Sequence, residues 1–157
     1  MKSLILFSAL LITNMSLVVY AADVSTEEVT ISVEDVVHFS SKEDVTSVNL
    51  NISELEIGNF QRGQKIYLSL EGAQIASFGD ISTSGVLLTS KIDKEGNIRE
   101  LILEITKYID KEAITSIDLN FDVKPNNTSA SEIILHIESR GFEENTHIII
   151  GQSSLGS

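Results

Sequence analysis

A chain of 157 residues with 23 acidic and 11 basic side chains carries a formal charge of −12, which repels nucleic-acid phosphates and anionic membranes over the screening distance and argues against both as partners. It has no cysteine, so thiol nucleophiles and disulfide staples are both ruled out, and stability must come from a buried core. The length suits one domain that buries roughly two-thirds of its unfolded surface.

The chain opens as a secretory signal does. Lys2 is a short basic region, Leu4 to Val19 is an apolar core, and Val19 and Ala21 suit cleavage after Ala21. Residues 1–21 are expected to be removed, leaving 22–157 as a single domain with a short polar C-terminal tail. That remainder holds 10 basic against 23 acidic residues, a charge of −13. No later apolar run approaches the roughly 20 residues of a membrane span. The expected location is therefore secreted or cell-surface, and the missing disulfides fit bacterial export better than a disulfide-dense animal ectodomain.

Asp23 to Glu28 is a polar lead-in. Val29, Ile31 and Val33 then alternate with Thr30, Ser32 and Glu34, and the phase shifts near Asp35, after which Val37 and Phe39 hold one parity and Val36 and His38 the other. A phase shift inside a strand marks a bulge or a passage from one sheet to another. Ser40 to Asp44 (SSKED) is a polar connector. Val48, Leu50 and Ile52 alternate with Asn49, Asn51 and Ser53, the period of a half-buried antiparallel strand, and Leu55 and Ile57 extend it up to Gly58.

After a turn at Arg62-Gly63, Ile66, Leu68 and Leu70 alternate with Tyr67 and Ser69. Ala73 to Phe78 is weakly patterned, and Gly79-Asp80 and Ser82 to Gly85 read as turns. Val86 to Asp93 is a strand, Asp93 to Asn97 a hairpin connection with Gly96 free to take a positive φ, and Leu101, Leu103 and Ile105 the returning strand. Tyr108, Ile109, Ala113 and Ile114 are spaced for one short helical turn. Ile117, Leu119, Phe121 and Val123 make a strand that Pro125-Asn126-Asn127 ends. Ile133, Leu135 and Ile137 give another, His147 to Ile150 the last, and GQSSLGS has linker composition.

About eight or nine strands with short loops and no helices between them predict an antiparallel, all-β sheet. Each strand has one oily face that a second layer would cover. The expected fold is a two-sheet β-sandwich of immunoglobulin-like or jelly-roll type, with a closed barrel as the alternative.

Gly63 to Gly72 (GQKIYLSLEG), the turn Ser82 to Gly85, the Asp93–Asn97 hairpin and Ile117-Asp118-Leu119-Asn120-Phe121 follow in an order that resembles a β-sandwich repeat of secreted Gram-positive (Bacillota) surface proteins, found with stalk or copper-amine-oxidase-N-terminal-like domains. The resemblance spans the larger part of the chain. It implies an extracellular structural or binding module without enzymatic activity.

The chemistry agrees with that implication. No G-x-S-x-G occurs, and His38, His136 and His147 lie far apart with no ligand spacing between any two. Glu100 with Glu104, and Asp118 with Asp122, alternate along strand faces as solvated side chains do, rather than as an acid pair for glycoside hydrolysis. Asp118-x-Asn120-x-Asp122 matches the start of a calcium loop but lacks its glycine and distal glutamate. Calcium held by the loop carboxylates Glu43, Asp44, Glu143 and Glu144 remains the one cofactor considered, with no other metal ligands assigned. Sugar faces stack on exposed rings, yet residues 22–157 have no Trp and only Tyr67 and Tyr108; Phe60, Phe78, Phe121 and Phe142 are expected in the core or at its rim.

Two functions follow. The first is a structural or assembly subunit that works through protein contacts or self-assembly. In it Val29, Ile31, Val33, Val37 and Phe39 could act as a strand donated to a neighbour's sheet edge, against the simpler reading that they pair within their own sheet. The alternative is an extracellular module for calcium or a glycan.

Overall fold

The computed structural model describes residues 22–26, 28–34, 36–107, 112–126, 131–140, 142 and 146–155; the expected signal segment, 1–21, lies outside them. The strands are β1 (Ala22–Ser25), β2 (Val29–Val33), β3 (Val37–Phe39), β4 (Thr46–Glu54), β5 (Lys65–Glu71), β6 (Ala73–Phe78), β7 (Val86–Ile92), β8 (Ile98–Ile105), β9 (Ser116–Pro125), β10 (Glu132–Ser139) and β11 (Thr146–Ser153). Alternation decides them. In β4, Val48, Leu50 and Ile52 are buried while Ser47 and Asn49 are exposed, and β9 repeats this with Ile117, Leu119, Phe121 and Val123 inward. Branched side chains at every second position cover a single face only when the backbone is extended and pleated.

Hydrogen bonds join the strands into one sheet in the order β1-β2-β4-β9-β6-β8-β5-β10-β11-β3, with β7 also on β8. Every pairing is antiparallel except β11 with β3, which corrects the wholly antiparallel expectation. A parallel pair needs a long crossover, and here every strand from β4 to β10 intervenes. β2 is second in this order and β3 last, yet only residues 34–36 separate them. Eight flat steps between strands would span roughly 38 Å, whereas the chain from Val33 to Val37 reaches at most about 14 Å. The sheet must therefore curl until its ends meet, and β1 does touch β11 while β3 touches β4. The phase shift falls between Val33 and Val37, where the chain passes from β2 to β3 within one sheet rather than from one sheet to another.

β5 and β6 are nearly one strand, bent at Gly72. Its φ is +85°, and a Cβ there would stand 2.2 Å from the Glu132 carbonyl oxygen, so only glycine fits the bend. Past it, β6 runs along β9 but meets β8 at the single pair Ile75–Ile98. One bent strand and one rung thus connect the half containing β4 and β9 to the half containing β8 and β10. Inward side chains from both halves, among them Phe39, Leu50, Leu68, Leu103, Phe121 and Ile137, form one core. The hydrogen bonding draws one curled, mixed sheet and does not by itself divide it into two.

Three local expectations change. Ala73 to Phe78 is a strand, with Ala73 and Ile75 turned into the core. Leu55 and Ile57 leave β4 and are exposed. Among the described residues there is no helix: Ala113 and Ile114 lie in the irregular approach to β9, and Tyr108 and Ile109 fall outside the described residues.

Val29, Ile31, Val33, Val37 and Phe39 are each 0–2% exposed within their own chain. At about 2 kcal/mol apiece their burial contributes on the order of 10 kcal/mol, the size of a whole domain's stability. A chain beginning at Ser40 is expected to show no cooperative urea transition by circular dichroism. A folded monomer from that truncation would instead favour the donated-strand role.

Candidate binding groove

β4 ends at a carboxylate. Glu54 is only 4% exposed, yet no cation pairs with it among the described residues. Its Oε1 accepts from the backbone N–H of Gly58 at 3.2 Å and Phe60 at 3.0 Å, and its Oε2 from that of Thr115 at 3.0 Å. These bonds fold the chain back on itself and seat Phe60 in the core, which is why Leu55 and Ile57 cannot continue the strand. Asn59 Nδ2 donates to the Glu28 carbonyl at 2.7 Å. Gln64 accepts from the Gln61 N–H at 3.1 Å and donates to Ser139 Oγ at 3.1 Å and the Arg140 carbonyl at 3.2 Å. The loop between β4 and β5 is thus tied at three places.

Along this loop runs an open groove of about 530 Å³, whose lining includes Glu28, Gln61, Arg62, Lys65, Tyr67 and Arg140. Three cations face one carboxylate there, in a chain of charge −12. Among the described residues the ion pairs are Lys91–Glu100, Arg99–Asp93 and His136–Glu71, so none of the groove's three cations is committed to an internal partner. Lys91 Nζ lies 5.8 Å from the centroid of the Tyr67 ring, a cation–π contact at the groove's side.

The other sequence candidates do not converge here. The proposed donor residues are built into their own chain: β2 pairs with β4 and β3 with β11. Asp44 is occupied by its own loop, accepting from the Ser40 and Ser41 N–H groups at 2.8 and 2.9 Å; Glu43 is exposed beside it, and Glu143 and Glu144 lie outside the described residues. Asp118, Asn120 and Asp122 form a ladder with β4, through Asn51 Nδ2 to Asp118 at 2.7 Å, Asn120 Nδ2 to Asn49 at 2.7 Å and Ser47 Oγ to Asp122 at 2.5 Å. Phe60 and Phe121 are core, Phe142 packs on the core, and Phe78 is exposed.

Two features had no local signal. Arg140 joins Arg62 and Lys65 only through the β5–β10 pairing. His136 and His147, eleven positions apart, stand opposite each other on β10 and β11, with ring centroids 6.1 Å apart.

No protein-family model matches this chain, and no curated protein matches its sequence. Among solved structures, the collagen-binding domain from a Staphylococcus aureus adhesin aligns with 89% of this chain and 96% of that chain, at a TM-score of 0.41 and 12% identity.

Two measurements check this geometry. Glu54→Ala strands three backbone donors, each worth about 1–3 kcal/mol when left unsatisfied, and is expected to lower the urea-unfolding free energy by at least about 3 kcal/mol. The second concerns acid. Backbone N–H groups of Ser40 and then Ser41 hold the Asp44 carboxyl below its ordinary value, the Asn97 N–H does so for Asp93, and the Ser47 and Ser77 hydroxyls do so for Asp122. A depressed folded pKa gives stability that is fully present above the unfolded value, about 3.9, and is lost as pH falls through the folded one. Replacing all three with Asn is expected to flatten the fall in urea midpoint below about pH 4.

Proposed function

We propose that this chain is an exported, non-enzymatic module, secreted or held at a cell surface, that works through contacts with other proteins and receives an acidic stretch of polypeptide in the groove at Arg62, Lys65 and Arg140. The observation that carries this reading is the gathering of three cations without internal partners among the described residues, around a tyrosine, in a strongly acidic chain. A guanidinium grips a carboxylate through two parallel hydrogen bonds, while an ammonium acts as a point charge. Elsewhere the net charge repels acidic partners, so these cations also set where one docks. A second copy of this chain is one source of such a stretch, which allows self-assembly.

Supporting the export reading are the signal-like residues 1–21, the lack of cysteine and the resemblance of Gly63 to Gly72 and the segments after it to Bacillota surface repeats. The bend at Gly72 and the single Ile75–Ile98 rung support reading the curled sheet as two facing layers of an immunoglobulin-like sandwich.

The test is fluorescence anisotropy with a labelled oligoglutamate peptide, titrated with residues 22–157. Binding is expected to weaken with added salt and to fall by at least about tenfold, roughly 1.4 kcal/mol, in the triple variant R62E/K65E/R140E. Equal binding by that variant would refute the assignment of the groove.

A further inference from the structure

The histidine pair is a second, separate piece of chemistry. His136 lies on β10 directly opposite His147 on β11 and Ser69 on β5, and Glu71 follows Ser69 on the same outward face. His136 Nε2 stands 3.2 Å from Glu71 Oε1, and the two imidazole rings are tilted by 42° with centroids 6.1 Å apart. We propose that His136, His147 and Glu71 bind a divalent transition-metal cation of the Zn²⁺ class.

One of the distances already matches what such an ion demands, and a second comes within about 1 Å of it. Zn²⁺ holds imidazole nitrogen and carboxylate oxygen at about 2.0–2.2 Å in a tetrahedron, so adjacent N and O ligands sit about 3.4 Å apart. The His136–Glu71 separation is already near that edge. Two imidazoles on one tetrahedral ion have centroids about 5.2 Å apart, which the pair reaches if the exposed His147 ring swings inward by about 1 Å. That movement is required, because no group of three His, Asp or Glu among the described residues is spaced to hold an ion as it lies. The His136–Glu71 contact that an ion would replace has side chains 39% and 62% exposed, and exposed pairs of this kind contribute little to stability. Imidazole nitrogens with a single carboxylate favour Zn²⁺, Cu²⁺ or Ni²⁺ over Ca²⁺, which takes six to eight oxygens. A fourth position stays open to water or to a donor from a bound partner.

His38 serves as the internal control. It lies on β3 opposite Gln152, five positions along β11 from His147 or roughly 16 Å, and cannot share the ion.

The experiment is calorimetry of residues 22–157 with ZnCl₂ in a non-chelating buffer, together with NMR of the histidine rings. One saturable site is expected, with the His136 and His147 resonances moving and those of His38 unchanged. H136Q and H147Q should each weaken binding by at least about tenfold, the loss seen even for groups that only orient a ligand. E71Q should weaken it less, and H38Q and millimolar Ca²⁺ should leave it unaltered. Absence of saturable binding, or equal binding by the H136Q/H147Q double variant, would overturn the proposal. Because both rings are on the surface, circular dichroism should show each variant folded; if one were not, the wild-type ring resonances alone decide the matter.

Discussion

Residues 34–36 tie the second strand of the sheet's path to its last, and that short link sets the shape of everything else. A flat sheet of this width would leave one apolar face in water. Bringing its two ends together turns that face inward, so that Ile31 and Val33 before the link and Val37 and Phe39 after it reach the same core. With no disulfide to hold the curl, apolar burial must do so. Curling also drives backbone toward backbone. Where it does, at Gly72 against Glu132 and at Gly151 against Val37, a Cβ would come within 2.2 and 1.9 Å of a carbonyl oxygen, and the residue is glycine.

Because the inner face is filled by aliphatic and aromatic side chains, recognition is left to the outer faces and rims. The outer face of β4 and β9 is occupied with itself: Ser47, Asn49 and Asn51 pair with Asp122, Asn120 and Asp118. Cross-strand pairs like these stabilise a sheet, and they leave those carboxylates less open to a visiting ion. The outer face of β5, β10 and β11 is different. It presents Tyr67, Glu71, His136, His147 and the exposed Ile149, and its rim carries Arg62, Lys65 and Arg140.

The period-two runs at Val48 to Ile52, Ile117 to Val123 and Ile133 to Ile137 were legible as strands because alternation is local. So was the Asp93–Asn97 hairpin, where Asp93 Oδ1 accepts from the Glu95 and Asn97 N–H groups and Gly96 takes φ +89°. The phase shift between Val33 and Val37 was legible as a break, read as a bulge or a passage between sheets, but not that the next strand joins the far end of the same sheet. Neighbourhood was not. That β3 lies parallel to β11, that His136 faces His147, and that Arg140 joins Arg62 are consequences of strand order, which no run of residues encodes by itself. Leu55 and Ile57 show the opposite failure: their period is correct for a strand, but Glu54 claims the N–H groups of Gly58 and Phe60 and the turn wins.

That carboxylate also explains how a curled sheet can present a shaped groove. Burying an anion is costly unless its oxygens are satisfied, and Glu54 meets the requirement with three backbone donors from two separate segments. One end of the 55–64 loop is therefore fixed from within the core. The other end is fixed by Gln64 bonding to Ser139 at the end of the neighbouring strand and to Arg140 just past it, with Gly63 N–H donating to the Ile105 carbonyl at 2.7 Å between them. Arg62 and Lys65 leave the backbone on either side of that anchored turn, and Arg140 leaves it where Gln64 attaches. Backbone that is already ordered has less freedom to lose when a partner arrives. The same buried acid that ends a strand thus gives the groove's cations a fixed base.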